Sequence, residues 1–546
     1  MKAGWIRGTR LQITKNCGLD FKGTASRETV LSRLPDRWMA PKRTMPPSLI
    51  ISWTEKRAIP ACTGRRGTDP RPIFGWRLTK PSDIEERAEG TAPAGEDAGQ
   101  QAVGREEGRS GEQGNLDRRK VPRIRVENLS PRQLLELDAC TKCGECVQWC
   151  PVYAQDPKED LTPRSKARAF RKILRAQDGI GSILFPPGSW LARKLDREGR
   201  QQERIENFVQ GLYECSTCGQ CHFVCPSQLD TVELWEGIRK SMVSAGCGPL
   251  ENHKVLTTSV KSYDNPWQQP RTTRDKWARR AHKQKQIAAV PKSLGKEWAE
   301  VFYFVGCTAS FDVNIKEVAV NTVKMLQACG VDFGILGNQE KCCGSVLLRV
   351  GDPEYERLAR ENIESFNRLG FKTLVTSCSG CYKTISQDYP KVGRMNFEVL
   401  HMVQFIDRLI QEGRIHFREE VPMKVTYHDP CHLGRASGIF EAPRRILKAI
   451  PGIEFVEIER HHENSRCCGA GGGLKAGFPE VQQKMAQARV RDAVATGATD
   501  FVTACPFCYQ GLSVGIAAEG APLRMRDITE IITRALGIAD EAKEKL

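Results

Sequence analysis

Eighteen of the 22 cysteines fall into closely spaced groups, which in a chain of 546 residues is typical of metal ligands rather than of disulfides. One pattern, Cys-x2-Cys-x2-Cys-x3-Cys-Pro, occurs twice. Where such runs are paired, the first three cysteines of each bind one cubane cluster and the fourth binds the other. The sequence therefore predicts two cubane 4Fe–4S clusters, with the ligands Cys140, Cys143, Cys146 and Cys225 for one and Cys215, Cys218, Cys221 and Cys150 for the other. Structural zinc bound by four cysteines is the alternative.

A second pattern, which also occurs twice, consists of one cysteine, a Cys-Cys-Gly and a Cys-x-x-Cys. Adjacent cysteines rarely reach the geometry of an unstrained disulfide, so this pattern indicates a polynuclear metal centre. Each set offers five thiolates, more than a cubane needs. The sets are Cys307, Cys342, Cys343, Cys378 and Cys381, and Cys431, Cys467, Cys468, Cys505 and Cys508. We expect the glycines after the second pair to let the backbone approach a bulky cluster; they are Gly469, Gly471, Gly472 and Gly473.

The elements that carry the first pattern are predicted to be helices within residues 121–250. Ser130 followed by Pro131 is typical of a helix start, and later segments repeat apolar residues at spacings of three and four. Residues 251–296 are polar and basic, and we predict that they form a linker.

The second pattern lies in a duplicated segment, whose landmarks recur 124 to 127 residues later, beginning with Cys307 and Cys431. Around these landmarks, short β-branched runs alternate with helical ones. This alternation predicts two α/β lobes with mainly parallel sheets, at residues 297–415 and 416–546. Because loops and helix N-termini converge where parallel strands end, we expect the cysteines at that edge of each sheet.

Residues 1–120 lack a sustained apolar period, and we predict a disordered segment or an extension from a start codon assigned too far upstream. They hold 23 Lys and Arg against 15 Asp and Glu, which accounts for half of the net charge of +16. Basic residues are not interleaved with aromatic ones, so we expect no nucleic-acid partner. The sequence has no run of 18 or more apolar residues, so we expect no membrane-spanning helix. We expect a cytoplasmic protein, or one held at the inner face of the membrane by a partner subunit.

In order and spacing, these cysteines resemble the D-subunit family of heterodisulfide reductase, in which a ferredoxin-type dicluster domain precedes two cysteine-rich CCG domains. The resemblance implies an α-helical ferredoxin domain and a noncubane 4Fe–4S cluster on each five-cysteine set. The predicted fold class is therefore mixed, with a disordered N-terminal segment, an α-helical ferredoxin domain and two duplicated α/β CCG lobes.

The resemblance also implies a function, the reduction of a disulfide by electrons that pass from the cubanes to the noncubane clusters. The substrate would be a heterodisulfide of the CoB–CoM type or a related thiol compound. The donor would be a membrane cytochrome b subunit or a soluble flavoprotein, since the chain has no nucleotide or flavin motif of its own. Two alternatives stay open: an electron-transfer subunit of a lactate, glycolate or glycerol-3-phosphate dehydrogenase, and a non-catalytic cluster scaffold.

Polar side chains near the second set are further candidates. His428 and His432 flank Cys431, and either could supply protons to leaving thiolates or simply orient the site. Arg435 could hold an anionic group of the substrate or form a surface salt bridge.

Overall fold

The computed structural model of the protein describes residues 121–186 and 189–538, so the prediction for residues 1–120 lies outside the described part of the chain. In the described part, a helical segment precedes two α/β lobes, and every strand pairing in the lobes is parallel. The predicted fold class is confirmed for these residues. None of their helices combines the length and apolar character needed to cross a bilayer.

The helical segment begins where the sequence predicts. Ser130 Oγ accepts a hydrogen bond from Gln133 N, the Gln133 side chain accepts one from Ser130 N, and Pro131 is in the first turn. Amphipathic helices pack around a core that includes the stacked rings of Phe170 and Phe208. The helices are α1 (Pro131–Ala139), α2 (Glu145–Gln148), α3 (Pro163–Asp178), α4 (Ile180–Leu184), α5 (Trp190–Lys194), α6 (Arg197–Tyr213), α7 (Gln220–Phe223) and α8 (Thr231–Ser244).

Residues 251–296, predicted as a linker, form regular structure. Their elements are α9 (Glu251–Tyr263), α10 (Lys276–Lys283) and β1 (Lys292–Ser293). Helix α10 buries only Trp277, Ala278 and Ala281, so most of its sequence is polar and gives no long apolar pattern. Strand β1 pairs in parallel with β3 (Phe333–Ile335), which makes the end of this segment an edge of the first sheet.

The first lobe contains a five-stranded sheet of order β1-β3-β2-β4-β5. Its centre is the pair β2 (Val301–Phe304) and β4 (Thr373–Thr376), in which Phe302 is opposite Leu374 and both are fully buried. Strands covered on both faces are mainly apolar, and β2 is an example. The other elements are α11 (Cys307–Phe311), α12 (Glu317–Ala328), α13 (Ser345–Val350), α14 (Glu354–Leu369), α15 (Ser379–Lys383), a π-helical turn (Thr384–Asp388), β5 (Glu398–His401) and α16 (Met402–Gln411).

The second lobe repeats this plan with a four-stranded sheet of order β7-β6-β8-β9. At its centre, β6 (Met423–His428) pairs with β8 (Asp500–Thr503), and His428 lies opposite Thr503 at the carboxyl end. The other elements are α17 (Glu441–Ala449), β7 (Ile453–Phe455), α18 (Leu474–Gly477), α19 (Pro479–Val494), α20 (Pro506–Glu519), β9 (Arg524–Asp527) and α21 (Ile528–Ala535).

The two lobes share one hydrophobic core. Helix α12 of the first lobe packs against α21 of the second, and α16 packs against α17. Ile406 and Ile446, from these last two helices, belong to the same buried cluster. The loops at the strand ends of both lobes are therefore held in a fixed relation to each other.

Candidate iron–sulfur sites

The two runs of four cysteines fold into the same turn. Lys142 and Thr217 have φ of 61° and 51°, and the glycines two positions later, Gly144 and Gly219, have φ of 86° and 76°. Left-handed backbone is uncommon for Lys and Thr, so its presence at both positions marks a shared, specific turn. Each turn leads into a short helix, α2 or α7, that carries the third cysteine.

The cysteines of these runs associate across the runs. One cavity is lined by five cysteines, the first three of the first run and the last two of the second: Cys140, Cys143, Cys146, Cys221 and Cys225. Cys150 lies with the second run instead: it packs against the buried cluster that contains Cys218. Burial is the main reason that its pKa is raised to about 11, and Cys215 and Cys218 add to this effect. The cavity brings Cys225 to the first run, as the predicted ligand sets require, but it also brings Cys221 there, so the ligand assignment stays a prediction.

The chemistry of these side chains fits a cationic metal centre. Burial raises the pKa of Cys146 to about 11, as it does for Cys150. Thiols in such surroundings stay protonated near neutral pH unless a metal ion binds, because coordination removes the thiol proton. Cys221 Sγ also lies 2.9 Å from the Thr231 hydroxyl, which can donate a hydrogen bond to a coordinated sulfur.

In the first lobe, all five predicted cysteines lie at the carboxyl edge of the parallel sheet. Cys307 begins α11 just after β2, and Cys342 and Cys343 lie between β3 and α13. Cys378 is the N-cap of α15 after β4, with Cys381 in the first turn. Strand ends and helix N-termini converge at this edge, as the alternating pattern predicts.

Contacts between neighbouring thiols link all five, and the last of these contacts joins Cys378 to Cys381. Hydrogen bonds with Cys342 and Cys381 lower the pKa of Cys343 to about 6. A hydrogen bond with Cys342 raises the pKa of Cys307 well above its ordinary value. The first set therefore forms one connected group of sulfurs, in which adjacent Cys342 and Cys343 link the members on either side.

The second lobe places its cysteines at the equivalent edge. Cys431 follows β6, Cys467 and Cys468 lie between β7 and α18, and Cys505 is the N-cap of α20, with Cys508 in its first turn. The Sγ atoms of Cys431 and Cys467 are 3.9 Å apart, and those of Cys468 and Cys508 are 3.5 Å apart. These separations bring the sulfurs within reach of one polynuclear cluster.

The glycine of each Cys-Cys-Gly has a specific role. Gly344 and Gly469 have φ of 80° and 79°, a conformation that other residues rarely adopt. Their backbone N–H groups turn back and donate to the first sulfur of the pair, over 3.4 Å to Cys342 Sγ and 3.3 Å to Cys467 Sγ. The matching geometry in both lobes explains why glycine follows each cysteine pair.

Comparison with known proteins places this arrangement in a family. A model described as a 4Fe-4S dicluster domain matches residues 136–229, and one described as a cysteine-rich domain, CCG, matches residues 301–386 and 425–513. The chain is 39% identical over 428 residues to the D subunit of dihydromethanophenazine:CoB–CoM heterodisulfide reductase of Methanosarcina mazei, covering 77% of this chain and 99% of that protein. The chain belongs to the D-subunit family of heterodisulfide reductase. It is therefore an iron–sulfur oxidoreductase with 4Fe–4S clusters, and the predicted family is confirmed.

More distant relatives carry other names. The chain is 30% identical to EtfAB:quinone oxidoreductase of Syntrophomonas wolfei, over 75% of this chain and 60% of that protein. It is 29% identical to the B subunit of fumarate reductase (CoM/CoB) of Methanothermobacter marburgensis, over 76% of each. Members of one architecture are thus named for different electron acceptors.

In this member of the D-subunit family, the dicluster segment, residues 136–229, contacts the second CCG lobe directly. A hydrogen bond between the Cys218 and Cys467 thiols raises the pKa of Cys218 well above its ordinary value. Arg239, fully buried, bridges the two parts by donating to Cys215 O over 3.1 Å and to Gly472 O over 2.8 Å.

The glycines after Cys468 make this contact possible, which differs from the expectation that they admit a cluster. A Cβ on Gly472 would lie 2.5 Å from the Ser216 carbonyl carbon and 2.6 Å from Cys215 O. One on Gly473 would lie 2.9 Å from His253 Nε2. The space left by the glycine run is therefore occupied by the second cysteine loop, which carries Cys215 and Cys218, and by His253 of α9. The missing side chains make room for these parts of the protein and not for a cluster.

Arg435 contacts backbone carbonyls rather than a surface acidic side chain, and its predicted role toward a substrate stays a prediction. Its guanidinium donates to Cys218 O over 2.9 Å and to the carbonyls of Glu463 and Ser465. Arg435 therefore fastens the second cysteine loop to the second lobe, beside the contact of Cys218 with Cys467.

The two CCG lobes meet at a pair of cysteines. A hydrogen bond from the Cys378 thiol is the main reason that the pKa of Cys505 lies well below its ordinary value. Ser379 Oγ also donates to Ala504 O across the same junction, over 3.3 Å. The two five-cysteine sets are thus neighbours at this edge.

His428 is fully buried and His432 is partly buried, and desolvation lowers the pKa of each to about 3, so both imidazoles are neutral at pH 7. Arg489 Nε donates to His428 Nδ1 over 3.2 Å, which leaves the proton of His428 on Nε2. A ring nitrogen of His428 lies within 4.8 Å of the sulfurs of Cys468 and Cys508. This geometry supports the orienting role more than proton supply.

Two residues near the sites were not predicted from the sequence. Arg274, from the segment predicted as a linker, donates to Cys307 Sγ over 3.5 Å and pairs with Glu340, and both charged side chains are buried. His401 is a buried N-cap of α16 whose pKa is lowered to about 4 by burial, and Cys505 is among its charged neighbours. Aligning the repeats would have found His401, because it matches Asp527, the N-cap of α21.

Proposed function

We propose that the protein reduces a small disulfide at the paired CCG lobes, with electrons delivered by the dicluster segment. The observation that carries this proposal is sulfur contact along the chain of sites. Cys218 of the dicluster segment contacts Cys467 of the second lobe, and Cys505 of the second lobe contacts Cys378 of the first. The relatives named as D subunits of heterodisulfide reductase support the same chemistry.

The residues that would hold the clusters are the eighteen grouped cysteines. We assign two cubanes to the cross-paired runs and one noncubane cluster to each lobe; their proposed ligands are Cys140, Cys143, Cys146 and Cys225; Cys215, Cys218, Cys221 and Cys150; Cys307, Cys342, Cys343, Cys378 and Cys381; and Cys431, Cys467, Cys468, Cys505 and Cys508. When bound, such clusters supply electrons singly, and cleavage of a disulfide to two thiols consumes two electrons and two protons.

The protein's own residues keep the sites close together and dry. Arg239 and Arg435 fix the dicluster loop on the second lobe through backbone carbonyls. Cys467 and Cys468 are each only 2% exposed, so water is largely excluded from the second set. His428 holds its Nε2 proton beside the same set, where it can donate a hydrogen bond to a sulfur anion.

We further propose that the electron donor is a separate protein, either a membrane cytochrome b subunit or a soluble flavoprotein, on the cytoplasmic side where thiols stay reduced. Cys143, the exposed member of the first run, marks the side from which such a donor would approach. A second function is favoured by the relative named EtfAB:quinone oxidoreductase, namely electron transfer to an acceptor other than a disulfide.

The test is electron paramagnetic resonance of the protein purified anaerobically with its iron counted. Addition of coenzyme M or coenzyme B under oxidising conditions should produce a signal that broadens when the thiol carries sulfur-33. The Cys505→Ala variant should lose that signal, whereas Cys329→Ala, outside the proposed ligand sets, should keep it. Reduction by lactate or glycolate with a flavoprotein, and no thiol-dependent signal, would show that the electron-transfer alternative is correct.

A further inference from the structure

Helices α4 and α5 expose an unusual amount of apolar surface. Ile180, Ile183 and Leu184 of α4 are 76%, 75% and 66% exposed, and Trp190 of α5 is 72% exposed. We call these four side chains the apolar patch. Exposed apolar side chains of this size, grouped on one part of a surface, mark interaction sites.

The patch is held outward by the domain beneath it. Arg197 of α6 donates to the carbonyl oxygens of Gly181 and Phe185, which fixes the end of α4. Ala192 of α5 is buried and anchors that helix, while the Lys194 ammonium lies 5.3 Å from the centre of the Trp190 ring. The exposed side chains therefore belong to fixed helices that pack on the helical segment.

The sequence around the patch is basic. Residues 163–204 contain 11 Lys and Arg but 4 Asp and Glu, a net charge of +7. The exposed basic residues among them are Arg168, Lys172, Arg175, Arg193, Lys194, Arg200 and Arg204, and the exposed acidic ones are Asp178, Asp196, Glu198 and Glu203. A surface that combines apolar side chains, a tryptophan and several lysines and arginines matches the boundary of a bilayer that contains anionic lipids.

We propose that α4 and α5 bind the surface of an anionic membrane, with the apolar patch in the headgroup region and the basic residues against the lipid phosphates. Each helix has five residues, far too few to span a bilayer, so the contact is interfacial. A protein partner is the less suitable occupant, because lysines are depleted at protein interfaces and the exposed basic residues outnumber the exposed acidic ones by seven to four.

The patch is separate from the candidate iron–sulfur sites. Helix α3 has 16 residues and is about 24 Å long. Its N-terminal end adjoins the first cysteine turn, where Arg164 contacts Gly144, and its C-terminal end leads into α4. Substitutions in the patch can therefore test membrane binding without disturbing cysteines.

The experiment is sedimentation of the anaerobically purified full chain with vesicles of phosphatidylcholine alone or mixed with phosphatidylglycerol. We expect binding to the anionic vesicles and at least a tenfold weaker affinity for neutral ones or at high salt. The Ile183→Ser/Trp190→Ser variant should weaken anionic binding at least tenfold. The matched control is Val313→Ser, which removes a side chain 71% exposed in the first lobe and should bind like the unaltered protein.

A charge variant gives an independent readout. Arg193→Glu/Lys194→Glu changes two exposed residues, so iron content should be unchanged while anionic binding falls at least tenfold. Equal binding to neutral and anionic vesicles, or unaltered binding by both double variants, would overturn the proposal. So would a concentration-dependent dimer in solution that only the patch variant abolishes, since the patch would then be covered by a second copy.

Discussion

The contact between the glycine run and the second cysteine loop can be tested by adding one methyl group. In Gly472→Ala, the new Cβ would lie 2.5 Å from a backbone carbon of Ser216. Backbone on both sides leaves little room for relaxation, because Arg239 ties Gly472 O and Cys215 O to the same guanidinium. We expect the loop and the lobe to separate slightly or the turn to distort.

The expected loss of stability in Gly472→Ala is the sum of two free-energy costs. Alanine at a φ of 66° costs about 1 kcal/mol in backbone strain, and overpacking against backbone adds about 3 kcal/mol. Gly497 is the matched control, since its φ is 67° but a Cβ there would meet nothing within 4 Å. Gly497→Ala should therefore cost only about 1 kcal/mol.

The assay is thermal unfolding of the anaerobically purified variants at matched iron content. With about 2.1 cal/mol/K of unfolding entropy per residue over roughly 400 residues, 1 kcal/mol lowers the midpoint by about 1 °C. We expect a decrease of about 4 °C for Gly472→Ala and about 1 °C for Gly497→Ala. Equal midpoints for the two variants would show that the glycine is not in tight contact with the loop, and the reasoning would fail.

Three further predictions concern buried polar groups. Arg239→Met leaves four backbone carbonyls without their donor and should destabilise the protein by about 3 kcal/mol, whereas Arg357→Met at an exposed ion pair should cost under about 1 kcal/mol in the same denaturation assay. Burial lowers the pKa of His253 to about 4, so the protein loses stability as the pH falls from about 6.5 towards 4, by about 1.4 kcal/mol per pH unit. The His253→Gln variant should therefore have an unfolding midpoint that depends less on pH between pH 7 and 5. An unchanged slope would contradict this expectation. Glu340→Gln leaves the buried Arg274 without its charged partner and should cost about 3 kcal/mol, and a midpoint within about 1 °C of the unaltered protein would contradict that expectation.

The grouping of the cysteines could be predicted because their spacing is a local property of the chain. Cysteines two or three residues apart share one turn, and the pair of left-handed positions at Lys142 and Gly144, repeated at Thr217 and Gly219, shows the turn that this spacing requires. The duplicated lobes were equally accessible, since repetition within one sequence needs no partner to be visible. The predicted start of α1 at Ser130 was correct for the same local reason.

Contacts between distant segments could not be read in this way. Arg274 lies 33 residues before Cys307, in a stretch whose helices bury few side chains, and nothing in its spacing marks it as a neighbour of the site. Arg435 looked like a candidate for substrate because a lone arginine has no visible partner in sequence, and its partners are backbone carbonyls. Backbone acceptors are present at every residue and leave no sequence signal.

Both lobes contact the helical segment, but they differ at the place that receives the loop carrying Cys215 and Cys218, which only the second lobe accommodates through its glycine run. After Gly344 the first lobe continues as Ser-Val-Leu-Leu and enters α13 at once, whereas after Gly469 the second lobe continues as Ala-Gly-Gly-Gly and begins α18 only at Leu474. Side chains at the first two of these three glycines would meet the backbone of the second cysteine loop, and one at the third would meet the imidazole of His253. The proposed path of electrons therefore enters the second lobe first and reaches the first lobe through the contact of Cys505 with Cys378. An asymmetry of three glycines is enough to give two copies of one site different places in the same sequence of transfers.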